Sequence, residues 1–155
     1  MFLKDYFPKI DKKYQNHFFS NITFDSSKIK KDFIFFAIKG NKYDGHNFIS
    51  NAIKKGAKII VHEKKFSGLK NKILFINTKN IRKLLAEVSF RINHLKPKNL
   101  VSVTGTNGKS SVADYFYQIL NFNKIKVASI GTLGIKTKNS LRSLPNTTID
   151  PIMLS

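Results

Sequence analysis

"LVSVTGTNGKSSVADYFYQIL", Leu100 to Leu120, contains the junction from which the rest of the chain is read. A Val-rich apolar run ends in Thr104-Gly105-Thr106-Asn107-Gly108-Lys109-Ser110-Ser111, and Val112, Tyr115, Phe116, Ile119 and Leu120 follow at helical spacing. Strand, glycine turn and helix in that order present a row of backbone N–H groups at the positive end of the helix dipole, which predicts an anion site. Gly105 and Gly108 let the backbone approach phosphate oxygens, Lys109 is placed for the β- and γ-phosphates, and the Ser110 hydroxyl is placed to ligate Mg²⁺. ATP is the expected ligand. The longer pattern G-x-x-x-x-G-K-[ST] asks for glycine at position 103, where Val103 stands, so the match is to a shorter variant.

Outward from this junction the chain reads as α/β. "KVASI" (Lys126 to Ile130) is expected to be the next strand, parallel to Leu100–Thr104 in a βαβ unit. Upstream, Asp32 to Gly40, Lys58 to Glu63 and Lys72 to Asn77 read as buried strands. Phe48, Ile49, Ala52 and Ile53 share one helical face that Gly56 ends. A second stripe of Ile81, Leu84, Leu85, Val88, Ile92 and Leu95 starts from Thr78 as the expected N-cap. The polar stretch around Pro97 reads as a linker, which predicts a domain over residues 1–97 and an incomplete second domain over 98–155.

Composition narrows the function classes. Hydrophobic residues make up 41% of the 155-residue chain, enough for a core. The absence of Cys removes disulfides and thiolate metal sites. The formal charge is +19, but the lysines are scattered and only Arg82, Arg91 and Arg142 supply arginine forks, so a solvated coat is expected and no nucleic-acid partner. No stretch approaches the roughly 20 apolar residues of a membrane span, and Lys4 and Asp5 interrupt any signal core. A soluble, cytoplasmic, monomeric protein is the expectation. His17, His46, His62 and His94 lack metal-ligand spacing, His46 reads as part of a helix start, and Asp114 reads as a solvated residue opposite the apolar face of its helix.

Three stretches carry a family resemblance. "VTGTNGKSS" resembles the nucleotide loop of the Mur ligases, ATP-dependent amino-acid ligases that build the peptide of cell-wall precursors. "FDSSKIKKDFIFFAIKGNKYDGHNFISNAIKKGAKIIVHE" (Phe24 to Glu63) is similar to the domain with which those enzymes hold a UDP-sugar substrate, and "GTLG" with "NTTIDP" resembles the branch that adds the third amino acid. The resemblance implies a substrate-binding domain followed by the start of a P-loop-type parallel-sheet domain. It gives Gly105, Thr106, Asn107, Gly108, Lys109, Ser110 and Ser111 to ATP, with Lys109 catalytic and Ser110 on Mg²⁺. It gives Phe24, Ser26, Asn41, Lys42 and Tyr43 to the uridine diphosphate end of UDP-N-acetylmuramoyl-dipeptide, and Asn146, Thr147 and Thr148 to its muramoyl-peptide. The implied reaction adds diaminopimelate or lysine to UDP-N-acetylmuramoyl-L-alanyl-D-glutamate through an acyl phosphate, and the chain alone is expected to be inactive. Alternatives are the ligase that adds D-alanyl-D-alanine and a basic nucleic-acid-binding protein.

Overall fold

The computed structural model describes residues 1–93, 97–144 and 149–154. The chain forms two compact units, Met1–Leu95 and Lys96–Leu154. The first runs α1 (Leu3–Tyr6), β1 (Asn21–Thr23), β2 (Phe33–Phe36), α2 (Ile49–Lys54), β3 (Ile59–His62), β4 (Gly68–Lys70), β5 (Ile73–Asn77) and α3 (Ile81–Ile92). Among the described residues, no helix is long and apolar enough to cross a membrane.

The sheet of this unit has the order β1-β2-β3-β5-β4. β1, β2, β3 and β5 are parallel, and β4 closes one edge antiparallel to β5. Parallel strands are buried on both faces and so read as unbroken apolar runs. The run Ile59-Ile60-Val61 does this, with all three residues buried. Registers Ile34↔Ile59↔Leu74 and Phe35↔Ile60↔Phe75 set two apolar rows back to back. On one face Phe35, Ile60 and Ile73 pack with Ala52 and Ile53 of α2. On the other, Phe7 stacks on Phe36 at 6.5 Å and meets Phe19 edge-on, and α1 contacts α3, whose Ile81, Leu85 and Val88 are buried.

Helix boundaries follow from identifiable hydrogen bonds. Gly56 ends α2: its N–H donates to the Ile53 carbonyl and the Ala57 N–H to the Ala52 carbonyl, both at 3.0 Å, a Schellman closure. For α3 the expected cap, Thr78, is displaced by Asn80, whose Oδ1 accepts from Lys83 N–H at 2.9 Å. The Glu63 carboxylate accepts from Ile81 N–H at 3.2 Å, which fixes the start two residues later. The helix ends at Ile92, and Leu95, the last member of the expected stripe, lies outside the described residues.

The second unit holds α4 (Lys109–Phe122), β6 (Ser129–Gly131), β7 (Gly134–Thr137), β8 (Ser140–Arg142) and α5 (Pro151–Leu154). The expected βαβ pairing is not formed. Leu100–Thr104 is in no strand, and only Ser129 and Ile130 of the "KVASI" stretch enter β6. β6 pairs antiparallel with β7, and β7 with β8. Each hairpin needs only a two-residue loop, whereas a parallel strand at 100–104 would need apolar cover on both faces. Among the described residues that cover is missing: Leu100 is 84% exposed. The predicted apolar face of α4 is turned outward as well, with Val112, Tyr115, Phe116 and Ile119 exposed, and Tyr117 is the helix's buried residue instead.

The two units therefore respond differently to truncation. Ile60→Ala is expected to cost its unit about 2–5 kcal/mol, and Ile119→Ala to change its own by about 0.5 kcal/mol or less. Urea unfolding followed by circular dichroism checks this, and similar losses for both variants would contradict the assignment of the two faces.

Candidate functional site

The glycine loop of the second unit forms at the start of α4. Gly108 occupies the N-cap position in the left-handed region at φ 76°, and Gly105 lies at φ 146°. A Cβ added at Gly108 would meet nothing within 4 Å, so the backbone angle, and not crowding, is what calls for glycine there. No side chain caps the helix. Val112 N–H makes the first helical bond, to the Gly108 carbonyl, and nothing among the described residues accepts from the N–H groups of Thr106, Asn107, Gly108, Lys109, Ser110 or Ser111. This exposed row of donors at a 14-residue helix start is arranged for an anion.

Side chains add to that arrangement. Lys109 folds back over the loop, its Nζ donating to the carbonyls of Gly105 and of Thr106, the latter at 3.1 Å. The ammonium is thus held beside the unpaired N–H row. Ser110 Oγ lies 2.7 Å from Thr132 Oγ1, in the turn that joins β6 to β7. The sequence reading missed Thr132, because only closure of the hairpin brings it to the loop. No group of three or more His, Asp or Glu residues able to hold a metal exists among the described residues, so hydroxyls are what this loop offers a cation.

Asp114 is not the solvated residue the sequence suggested. Its Oδ1 accepts from Lys136 Nζ at 2.6 Å and its Oδ2 from Gln118 at 2.6 Å, and Lys136 also sits 4.9 Å over the Tyr117 ring. Lys136 is in β7, so this ion pair ties the hairpin that carries Thr132 to the helix that carries Ser110. The Lys136 hydrogen bond, with Gln118 adding to it, holds the Asp114 carboxyl below the usual carboxylate range.

In the first unit the expected substrate residues lie in two loops. Phe24 and Ser26 follow β1, and Asn41, Lys42 and Tyr43 follow β2. Because β1 and β2 are parallel neighbours, both loops leave the same end of the sheet, the carboxyl end at which α/β folds bind ligands. The first loop is braced by Asp25, which accepts from Ser27 N–H and Oγ at 2.8 and 2.7 Å, and by Lys55 Nζ, which donates to the Ser26 carbonyl at 2.9 Å. The Ser27 hydroxyl bond lowers the Asp25 pKa, keeping the brace charged. The second is closed by Gly40 N–H on the Tyr43 carbonyl at 2.9 Å, leaving the Tyr43 ring exposed and 6.5 Å from Phe48. His46 lies in the turn Gly45–Phe48 before α2, its N–H and ring bonded to Asp44. Asn146, Thr147 and Thr148, like His94, lie outside the described residues.

The Asp114 pair generates a prediction with a definite sign. A depressed folded pKa means its stabilisation is fully present above the ordinary carboxylate value and is lost as pH falls through the lower, folded value. Asp114→Asn is expected to flatten the acid limb of stability of the second unit. A carbon-detected NMR titration placing the Asp114 midpoint at or above that of an ordinary aspartate would contradict the pairing.

Comparison with known proteins places both stretches in one family. Residues 19–90 match the model described as "Mur ligase family, catalytic domain", and residues 103–155 match "Mur ligase middle domain". A UDP-N-acetylmuramoyl-L-alanyl-D-glutamate--2,6-diaminopimelate ligase of Rickettsia prowazekii (strain Madrid E) is 37% identical over 142 residues, covering 90% of this chain and 29% of the relative. One of the same name from Clostridium tetani (strain Massachusetts / E88) is 46% identical over 118 residues, covering 73% of the chain and 24% of the relative. A solved structure named UDP-N-acetylmuramoyl-L-alanyl-D-glutamate--2,6-diaminopimelate ligase superposes with a TM-score of 0.78 at 23% identity, over 99% of this chain and 32% of that one. MurF ligase from Thermotoga maritima in complex with ADP gives 0.53 at 27% identity, over 68% of this chain and 24% of that one. The chain thus spans under a third of the length of these curated relatives. Its two matched stretches follow one another as the N-terminal and middle domains of one kind of enzyme, and the chain belongs to the Mur ligase family.

Proposed function

We propose that this chain is the substrate-holding domain and the opening of the ATP-binding domain of a ligase that joins diaminopimelate to UDP-N-acetylmuramoyl-L-alanyl-D-glutamate in the cytoplasm. The observation that carries the reading is the row of unpartnered N–H groups from Thr106 to Ser111, with the Lys109 ammonium held beside it. The names of the Rickettsia and Clostridium relatives support diaminopimelate over lysine as the added residue.

A carboxylate is a poor electrophile, so amide formation needs it converted to a mixed anhydride. In the proposed reaction a carboxylate oxygen of the D-glutamyl residue attacks the γ-phosphorus of ATP and ADP departs. The amine of the incoming amino acid then attacks the acyl carbon and expels phosphate. The loop N–H groups and Lys109 lie where negative charge on the transferring phosphoryl group would be met. The residues present also fit Mg²⁺: Ser110 and Thr132 are neutral oxygen donors 2.7 Å apart, suited to an ion that keeps several waters and takes phosphate oxygens. When bound, Mg²⁺ supplies charge neutralisation on those oxygens. At the sheet end of the first unit, Lys42 adds charge for a diphosphate, and Ser26 and Asn41 offer uncharged hydrogen bonds.

Three outcomes follow. Mg·ATP is expected to bind the chain, and Lys109→Ala to weaken it by about tenfold to a hundredfold, the worth of a charge-assisted hydrogen bond or two. Calorimetric titration with circular dichroism as a folding control measures this, and unchanged affinity would remove Lys109 from the site. UDP is expected to shift amide resonances of Ser26 and Asn41–Tyr43, and shifts confined to α3 would remove the substrate site. Incubation with ATP, the UDP-muramoyl-dipeptide and diaminopimelate is expected to yield no amide from the chain alone, since proximity worth roughly 7–11 kcal/mol is lost when a reactant has no site. Turnover would show that the part of the relatives not matched here is dispensable.

A further inference from the structure

Glycine follows an amide or carboxylate side chain at two points in the sequence, Asp44-Gly45 and Asn107-Gly108. At such a pair the chain can close on itself. The glycine nitrogen, once its proton is lost, attacks the side-chain carbonyl carbon, Cγ, of the residue before it and forms a cyclic succinimide. Glycine is the residue most open to this, because no Cβ shields its nitrogen. The reaction needs a backbone N–H free of any acceptor, a side chain free to turn and a loop that can deform. The two pairs differ in all of these.

At Asp44-Gly45 the structure blocks it. Gly45 N–H donates to the Ile38 carbonyl at 2.9 Å, and a Cβ at Gly45 would collide with the Ile38 backbone, so the turn is tightly seated. The Asp44 carboxylate accepts from His46 N–H at 2.9 Å and is bonded to the His46 ring at 2.7 Å. At Asn107-Gly108 each restraint is missing. Both residues are exposed, and Gly108 N–H meets no acceptor among the described residues. No hydrogen bond among them holds the Asn107 side chain, and the space beside Gly108 is open. Gly108 precedes the first turn of α4, so no helical bond protects its nitrogen. The positive end of the helix dipole, with the Lys109 ammonium donating to the Thr106 carbonyl at 3.1 Å, stabilises the amide anion that makes the attack.

We propose that Asn107 is a site of spontaneous deamidation, guarded by the polyphosphate that occupies the loop. Gly108 N bonds to Asn107 Cγ, the Cγ–Nδ2 bond breaks, and Nδ2 leaves as ammonia, taking the proton that Gly108 N gave up. Water then adds across one of the imide C–N bonds. Opening at Cγ gives aspartate, and opening at the main-chain carbonyl gives isoaspartate, whose backbone is longer by a methylene. Either product sets a carboxylate among the N–H groups and ammonium arranged for an anion, and isoaspartate also displaces them. A bound polyphosphate prevents the reaction, because a Gly108 N–H committed to a phosphate oxygen is not free to lose its proton. The guard rests on the ATP reading of this loop, and the conversion does not.

The test incubates the whole chain at mildly alkaline pH and follows aspartate and isoaspartate by mass spectrometry of tryptic peptides, with isoaspartyl methyltransferase labelling. Conversion at Asn107 in the folded chain should run within about tenfold of its rate in urea, as a loop of low local stability allows. Isoaspartate at Asp44 should form in urea alone. Mg·ATP at about ten times its Kd should slow conversion at Asn107 about tenfold, in proportion to the loops left empty. Asn107→Asp, the product made directly, should bind Mg·ATP at least about tenfold more weakly than the fresh chain, with circular dichroism unchanged. Conversion at Asn107 confined to urea, or folded-state conversion at Asp44 to the same extent, would overturn the site. Undiminished conversion with ATP bound would remove the guard, and unaltered ATP affinity in Asn107→Asp would remove its consequence. A fresh chain that binds no Mg·ATP would contradict the proposed function instead, and the conversion rates, which need no nucleotide, would still decide the site.

Discussion

A parallel β-strand has to be covered on both of its faces, and much of this molecule follows from where that requirement is met. β2 and β3 meet it, and β5 meets it in part: one side of their row is packed by α2 and the other by Phe7, Phe19 and α3. With the strands fixed in parallel, the loops that follow them must emerge at one end of the sheet, which brings Ser26 and Asn41–Tyr43 to a common edge. Where that cover is incomplete, Phe75 of β5 keeps partial exposure.

In the second unit the requirement is not met among the described residues, and the local structure differs accordingly. Residues 100–104 carry the composition of a buried parallel strand but form no ladder, and the sheet beside α4 is a meander of two tight hairpins. The glycine loop does not depend on that strand. Its geometry comes from the two glycine angles and the start of α4, and its alignment with the hairpin comes from the Ser110–Thr132 contact and the Asp114–Lys136 pair. The outward apolar face of α4, on which Val112, Tyr115 and Ile119 lie, is of the kind that packs against further strands.

What could be read in the sequence depended on how local its cause was. The runs Phe33–Phe36, Ile59–His62 and Ile73–Asn77 are apolar and β-branched and were legible as strands. β1 and β4, three residues each, were not: they sit at the two edges and owe their existence to the ladder of a neighbour. The start of α3 was misplaced by two residues because both Thr78 and Asn80 can cap, and Glu63, distant in sequence, decides between them. Helical spacing identified the apolar face of α4 correctly as apolar but carries no information on whether a partner is there. The glycine turn and the helix that starts at Lys109 were legible from their own residues, Gly105, Gly108 and the apolar spacing that follows. Thr132 and Lys136 were not, since each reaches its partner across 22 residues of sequence.

The most direct test of the account is to locate the triphosphate on the protein. Mn²⁺ in place of Mg²⁺ broadens the resonances of nuclei near the metal-bound nucleotide, so substoichiometric Mn·ATP added to the ¹⁵N-labelled chain reports the site without mutation. The account predicts that amide signals of residues 105–111 and of Thr132 broaden first, while those of β2, β3 and β5 remain sharp. Broadening spread over the exposed lysines, or centred away from the start of α4, would contradict it.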